Sequence, residues 1–265
     1  MYEAFSADYD RFVDWPARLA AEFPFIEREL QAVEARRVLD AACGTGMHAL
    51  ALAERGYEVV GADLSAGMIR RAQANATAVG REVRFEVIGL GNLSARIDGS
   101  FDALLCLGNS LPHVLTPEDL AVAVGDFAAC LRPGGLLLIQ NRNFDALLAR
   151  HRRNPQSLEA RWMEPQSYVK GSQEEAEWLF LRFYDFELDG TLTFNLVTLR
   201  REGAGGWTQQ VVTTKLWPWR RSELVTALEG VGFEEIVCWG DMQGARFDVE
   251  CSPNLVVGAR RARSD

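Results

Sequence analysis

Two carboxylates and two glycines are spaced as a ligand-binding turn would need them. The apolar run Arg37-Val38-Leu39-Asp40 ends in an acid and breaks into Ala41-Ala42-Cys43-Gly44-Thr45-Gly46. After one helical span it is answered by Val59-Val60-Gly61-Ala62-Asp63. The pattern reads as strand, glycine turn, helix, strand. Backbone N–H groups at Gly44 and Gly46 can approach a ligand closely, and an acid ending the second strand is placed to accept both hydroxyls of a ribose. A nucleoside-containing ligand is the expectation, with a rival role for Asp63 as cap of the helix that starts near Ser65.

Gly44-Thr45-Gly46-Met47-His48-Ala49 also fits the loose G-x-G-x-x-G/A pattern of dinucleotide folds. Asp40 separates the two readings. At the end of the first strand it would face a pyrophosphate with like charge, whereas it suits a ligand with a cationic amino group and no phosphate. S-adenosylmethionine is such a ligand, with ammonium, sulfonium, carboxylate, ribose and adenine.

The elements that must position these residues follow from periodicity. Residues 5–33 have helical spacing, with Pro16 placed to open the second helix. Strands are expected at 37–41, 57–62, 83–88, 101–107 and 136–141, separated by helices at 47–55, 65–79 and 117–131, the last stopped by Pro133-Gly134-Gly135. From Trp178 to Trp217 the period changes to two and β-branched and aromatic residues dominate, with turns at Leu188-Asp189-Gly190 and Gly203-Ala204-Gly205-Gly206. A helix at 220–230 and strands at 233–239 and 254–259 complete the chain. The fold expected is α/β: a seven-stranded, mostly parallel sheet with helices on both faces, an N-terminal helical cap and an inserted small antiparallel sheet. The expected division is 1–150 for the cap and cofactor-binding core, 151–218 for the insertion as lid or interface, and 219–265 for the rest of the core.

The bulk properties narrow the partners. With 48% hydrophobic and 25% charged residues the 265-residue chain is an ordinary globular one. A net charge of −9 repels phosphate backbones, which argues against nucleic acid. The basic run Arg150-His151-Arg152-Arg153 is better read as a solvated helix C-terminus than as an anion site. Five cysteines without a C-x-x-C pair, and no secretory signal, point to a reducing cytoplasm. Three scattered histidines argue against a metal site, and no apolar run is long enough to span a membrane.

Further segments add to the opening motif: Cys106-Leu107-Gly108-Asn109-Ser110, then His113, then Leu131-Arg132-Pro133-Gly134-Gly135-Leu136, then Asn141-Arg142-Asn143-Phe144-Asp145. Together, over residues 36–145, they resemble the Rossmann-like class I S-adenosylmethionine-dependent methyltransferases, and in particular the glycine N-methyltransferase branch. The resemblance implies that Gly44 and Gly46 pack against the methionine part of the cofactor. Ala42 stands where the family commonly has a third glycine. Asp63 takes the ribose, and Gly91-Asn92-Leu93 frames the adenine, with Leu93 replacing an aromatic. Leu64, Met68, Leu107 and His113 complete the cofactor contacts, although Met68 and Met47 also read as fillers of core gaps. Near the N-terminus Arg18 matches the arginine that meets the cofactor's carboxylate, and Tyr9 a lid residue over it.

For the acceptor, the resemblance gives Arg142 the carboxylate of an amino-acid-like substrate, held by two parallel hydrogen bonds. A salt bridge to Asp145 is its structural rival. Asn109 faces the substrate, and His113 assists as a hydrogen-bonding group. Trp217, and with it Trp162, stand where the family has tyrosines lining the pocket; Trp219 reads better as an anchor of the insertion. The expected reaction is transfer of a methyl group to the nitrogen of a small amino-acid-like or heterocyclic molecule, aligned at ~3–3.5 Å with water excluded, which requires no strong base. An O-methyltransferase, a nicotinamide-dependent dehydrogenase and a non-catalytic cofactor-binding module remain as alternatives. Homo-oligomerisation is compatible with the sequence.

Overall fold

The computed structural model describes residues 3, 6, 8–155, 161–162, 166–170, 174–203 and 205–263, with backbone alone at 161–162, 166–170 and 174–175. Helices α1 (Tyr9–Phe12) and α2 (Trp15–Gln31) precede strand β1 (Arg37–Ala41). The order continues through α3 (Met47–Glu54), β2 (Glu58–Asp63), α4 (Ala66–Ala78), β3 (Arg84–Val87), β4 (Phe101–Cys106), α5 (Pro117–Cys130), β5 (Leu131–Arg142) and α6 (Phe144–Arg153). Five strands of the insertion follow, β6 (Arg161–Trp162) through β7 (Gln166–Lys170), β8 (Glu174–Phe186), β9 (Leu192–Glu202) and β10 (Thr208–Leu216). Helix α7 (Arg221–Gly230) and strands β11 (Phe233–Trp239) and β12 (Asn254–Arg261) close the chain.

Seven strands form one sheet in the order β11-β12-β5-β4-β1-β2-β3. All pairs from β5 to β3 are parallel, while β12 runs antiparallel to both β5 and β11. The sheet is covered on both faces, as parallel strands with near-continuous apolar runs require. Phe127, Leu224 and Leu228 from α5 and α7 pack on one face, and Phe23, Leu52, Ile69 and Ala72 from α2, α3 and α4 on the other. Asp14 opens α2 by accepting the Ala17 N–H at 3.1 Å, with Pro16 in the first turn where its missing N–H costs nothing.

The expected architecture is present; the short strands β6 and β7 precede the stretch from Trp178 in which the sequence predicts strands, and one turn differs. Helix α5 ends at Cys130, before the Pro-Gly-Gly sequence, and the chain turns directly into β5. Pro133 to Gly135 then form a bulge, because Leu131 pairs with Phe101 while Leu136 pairs with Ala103. Strand pairing to β4 thus begins before the breaker and absorbs it as extra length.

The insertion is an antiparallel sheet, β10-β9-β8-β6, with β7 also on β8. Its inner face has two apolar seams. Trp178, Phe180 and Leu196 pack with Tyr9 and Phe12 of α1, and Tyr184, Leu192 and Leu216 pack with Phe144 and Leu147 of α6. The basic run Arg150 to Arg153 lies in the last turn of α6, where cations complement the helix dipole.

Candidate cofactor and acceptor site

The turn after β1 is built on alternating left-handed residues. Ala42, Gly44 and Gly46 have φ of 67°, 55° and 79°. Gly46 also has no room for a side chain, since a Cβ there would lie 2.7 Å from Phe85 and 2.9 Å from Ala72. The glycine therefore lets α3 start in contact with β3 and α4. At Ala42 the same backbone hand carries a methyl group and its strain. Ala42→Gly should stabilise the protein by about 0.5–1 kcal/mol, read as a rise of about 1–3 °C in the unfolding midpoint; a lower midpoint would show that the methyl packs productively.

Asp40 lies beneath this turn, 2% exposed. Its Oδ2 has no hydrogen-bond partner among the described residues. Burial raises its pKa from 3.8 to about 6, with the Asp63 charge adding to the rise, while His48, the Ala49 N–H and Arg18 oppose it. A buried carboxylate oxygen without a donor is costly, and a cationic group beside it would relieve that cost.

Asp63 is held from two sides. Its Oδ2 accepts the Gly44 N–H at 3.0 Å and its Oδ1 the Ser65 N–H at 2.8 Å. Burial lifts its pKa against these two bonds. The cap of α4 is Ser65, whose hydroxyl accepts the Met68 N–H at 3.2 Å. The acid is thus oriented at the turn, and the capping role expected as its rival belongs to Ser65.

Past β2 and β3, two apolar side chains stand in the open on either side of the Gly89 to Gly91 turn. Leu64 is 77% exposed and lies 3.1 Å from the Cβ position of Gly89; Val122, on α5, is 59% exposed and lies 3.1 Å from that of Gly91. Exposed apolar groups at one turn offer a surface suited to a flat aromatic ring. Asn92 is exposed beside it. Leu93 departs from the expectation: it is fully buried in the core, and its N–H donates to Asp126 Oδ2 at 2.7 Å, so its side chain does not share the exposed surface of Leu64 and Val122. Met68 is buried too, which fits a filler of the core rather than a contact surface, and so is Leu107. Val122 escaped sequence reasoning because nothing in a helical run marks which apolar residue faces out.

Beside the turn lies a cavity of about 280 Å³. It brings together Tyr9, Arg18, Asn109, His113 and Arg142, all of them candidates in the sequence. It adds Phe12, Glu22 and Gln140 from the core and Arg182, Tyr184, Phe194, Leu196 and Leu216 from the insertion. The ends of β4 and β5 are stitched across it. Gln140 Oε1 accepts the Gly108 N–H at 2.8 Å, and Asn109 donates its N–H to the Gln140 carbonyl at 3.0 Å. Asn109, in a left-handed conformation with φ of 65°, accepts the Arg142 N–H on Oδ1 at 2.9 Å. Its carbonyl oxygen is therefore committed to fixing the residue that carries the guanidinium. The Arg142 guanidinium lies 5.6 Å from the centre of the Tyr184 ring. Asp145, its expected rival partner, accepts the Arg221 N–H at 2.9 Å and so opens α7.

Arg18 is set by a chain of polar contacts that runs into the core. Its Nε donates to Glu22 Oε1 at 3.1 Å, and Glu22 Oε2 lies 2.7 Å from His48 Nε2. Burial opposes ionisation of Glu22, but the His48 and Arg18 contacts outweigh it and hold the acid below its ordinary range. Burial drives His113 down to about 4, against a hydrogen bond to the Lys215 backbone, so its ring is neutral near pH 7. Burial likewise raises the Tyr9 phenol, which keeps its proton.

The tryptophans fall elsewhere. Trp217 does not line the cavity: its N–H donates to the Pro112 carbonyl at 2.8 Å and its ring packs 5.7 Å from Trp219. Strand alternation explains this, since Leu216 faces the cavity and the next residue faces the other way. Trp219 is buried and donates its indole N–H to the Val114 carbonyl at 2.9 Å, as expected of an anchor. The side chain of Trp162 lies outside the described residues.

The residues fit S-adenosylmethionine: Asp40 has an orphaned buried oxygen that would suit its ammonium, Arg18 a guanidinium that would suit its carboxylate, Asp63 an oriented acid that would suit its ribose, and Leu64 and Val122 exposed apolar groups that would suit its adenine. Comparison with known proteins points to the same cofactor. A methyltransferase domain family matches residues 38–135. The glycine/sarcosine N-methyltransferase of Parasynechococcus marenigrum is 41% identical over 55% of this chain and 52% of its own length. That of Aphanothece halophytica is 30% identical over 91% of this chain and 82% of its own. The chain thus spans about half the length of the first curated relatives it matches and most of another. Among solved structures, the CcbJ methyltransferase of Streptomyces caelestis shares the fold with a TM-score of 0.74 at 22% identity, over 98% of both chains. The chain belongs to the class I S-adenosylmethionine-dependent methyltransferases, in the branch of the glycine/sarcosine N-methyltransferases.

Proposed function

We propose that this protein transfers a methyl group from S-adenosylmethionine to the nitrogen of a small amine bearing a carboxylate, of the glycine and sarcosine type. The observation that carries this reading is the placement of Arg142 and Asn109 in the same cavity as Tyr9 and Arg18, at the carboxyl ends of β4 and β5. When bound, the cofactor supplies a methyl group already activated on a sulfonium. The chain's own residues then have to hold the acceptor and exclude water. Arg142 grips the acceptor carboxylate, the stitched ends of β4 and β5 fix its distance from the cofactor turn, and neutral His113 and protonated Tyr9 offer hydrogen bonds without adding charge. A neutral amine needs no strong base, which accords with this set of residues.

In this reading the chain divides at residues 150 and 218. The insertion contributes the aromatic wall, Tyr184 and Phe194, which stabilises the positive charge that develops on the amine nitrogen as the methyl group is transferred. A labelled-methyl assay over glycine, sarcosine, dimethylglycine, ring amines and phenols tests the proposal. Transfer to members of the glycine series is the expected result; transfer to rings alone would overturn it and make Arg142 irrelevant to the acceptor.

A further inference from the structure

Asp10 joins the short helix α1 to the cofactor turn and has no place in the site as described so far. Its Oδ1 accepts the Thr45 hydroxyl at 2.6 Å, within the glycine turn, and the Trp15 indole N–H at 3.0 Å. Its Oδ2 accepts Arg71 Nε at 2.8 Å and Asn75 Nδ2 at 3.1 Å, both from α4. Asn75 Nδ2 lies 3.0 Å from the Thr45 carbonyl as well, closing the group onto the turn. One carboxylate thus gathers donors from the turn, α2 and α4.

Helix α1 has only four residues and no side-chain N-cap bond, too few for a helix that holds its place by its own hydrogen bonds. Its position depends on what it is tied to. On the core side the polar tie is Asp10, and the Tyr9 ring beside it lies 6.3 Å from that of Trp15. On the other side Phe12 meets Phe180 edge to face at 5.5 Å and Arg11 lies 4.7 Å over Trp178, both in the insertion. Between these ties, Tyr9 sits over the turn, 4.0 Å from the Cβ position of Gly44, and both Tyr9 and Phe12 line the cavity. A ligand reaching the glycine turn beneath Tyr9 lies under α1.

We propose that Asp10 is a positioning residue that latches α1 closed over the methionine end of the cofactor and so sets the rate at which the cofactor leaves. The inference rests on the cofactor reading above. The charge-assisted hydrogen bond to Arg71 and the short bond to Thr45 must break before Tyr9 can swing away, so loosening them should act on release more than on capture.

The test is a chase of labelled S-adenosylmethionine with excess unlabelled cofactor, on the full chain. Asp10→Ala should release cofactor at least about tenfold faster, and Arg71→Met, which removes one of the four bonds, about threefold faster, with association rates within about twofold of wild type. Release within twofold of wild type in both variants would overturn the latch, even if their unfolding midpoints fall, because Asp10 would then be a structural brace only. Should Asp10→Ala not fold, Arg71→Met decides, its side chain being 43% exposed. A wild-type chain that binds no S-adenosylmethionine would overturn the proposed function and the latch together, whereas wild-type binding with unaltered release in the variants would overturn the latch alone.

Discussion

An Asp40→Asn chain should unfold at a higher temperature than wild type without ligand and yet bind S-adenosylmethionine about a hundredfold more weakly. The two effects have one origin. Folding buries the Asp40 carboxyl and raises its pKa from 3.8 to about 6. The folded state therefore holds this proton more tightly than the unfolded chain does. Its contribution to stability is lost as pH rises from about 4 to about 6 and stays lost above that. The gap between those two pKa values corresponds to about 3 kcal/mol, an upper value for what the asparagine recovers at neutral pH. The asparagine oxygen can still accept the Ala49 N–H, but it offers no charge to an ammonium. In the wild type the ammonium must displace the Asp40 proton below pH 6, so cofactor affinity should fall about tenfold per pH unit there, while the variant stays flat across the same window. Calorimetric titration and thermal unfolding at pH 5 and 7.5 check both signs; cofactor affinity equal to wild type in the variant would separate Asp40 from the ammonium.

Arg142→Ala should raise the Michaelis constant for a carboxylate acceptor about a hundredfold, because a bidentate, charge-assisted pair in a partly desolvated cavity is lost. Cofactor affinity should stay within about twofold, since in the proposed arrangement Arg18, not Arg142, meets the cofactor's carboxylate. Arg142→Lys should recover little, as an ammonium cannot reproduce the planar fork. The backbone around the site is expected to survive either change, because Asn109 holds residue 142 through its N–H rather than its side chain. Steady-state kinetics with glycine and sarcosine, beside a cofactor titration, read the split directly. Equal Michaelis constants in wild type and variant would remove Arg142 from acceptor binding.

The glycine turn was legible because its constraints are local. The left-handed backbone at Gly44 and Gly46, the acids at the ends of β1 and β2 and the Ser65 cap all lie within a few residues of the chemistry they serve. Side-chain direction was harder. Asn92 and Leu93 are adjacent, yet one is exposed and the other buried under Asp126, an acid of α5 that no spacing rule connects to them. Trp217 lost its place at the cavity to Leu216 through the alternation of a strand whose facing depends on where β10 docks.

By itself the sequence determined the strands and helices of the main sheet, the three long strands of the insertion, the cofactor turn and the residues at the ends of β1, β2, β4 and β5, because apolar periodicity and turn chemistry act over short spans of chain. Only the tertiary structure decided which residues wall the cavity across from Arg142, how Glu22 links Arg18 to His48, and that Asp10 closes α1 onto Thr45, Arg71 and Asn75. The hydrogen bonds of Glu22 and Asp10 among them join residues up to 65 positions apart. They exist because the insertion and the N-terminal helices pack against the open end of a parallel sheet, where ligand-binding loops from distant parts of the chain meet.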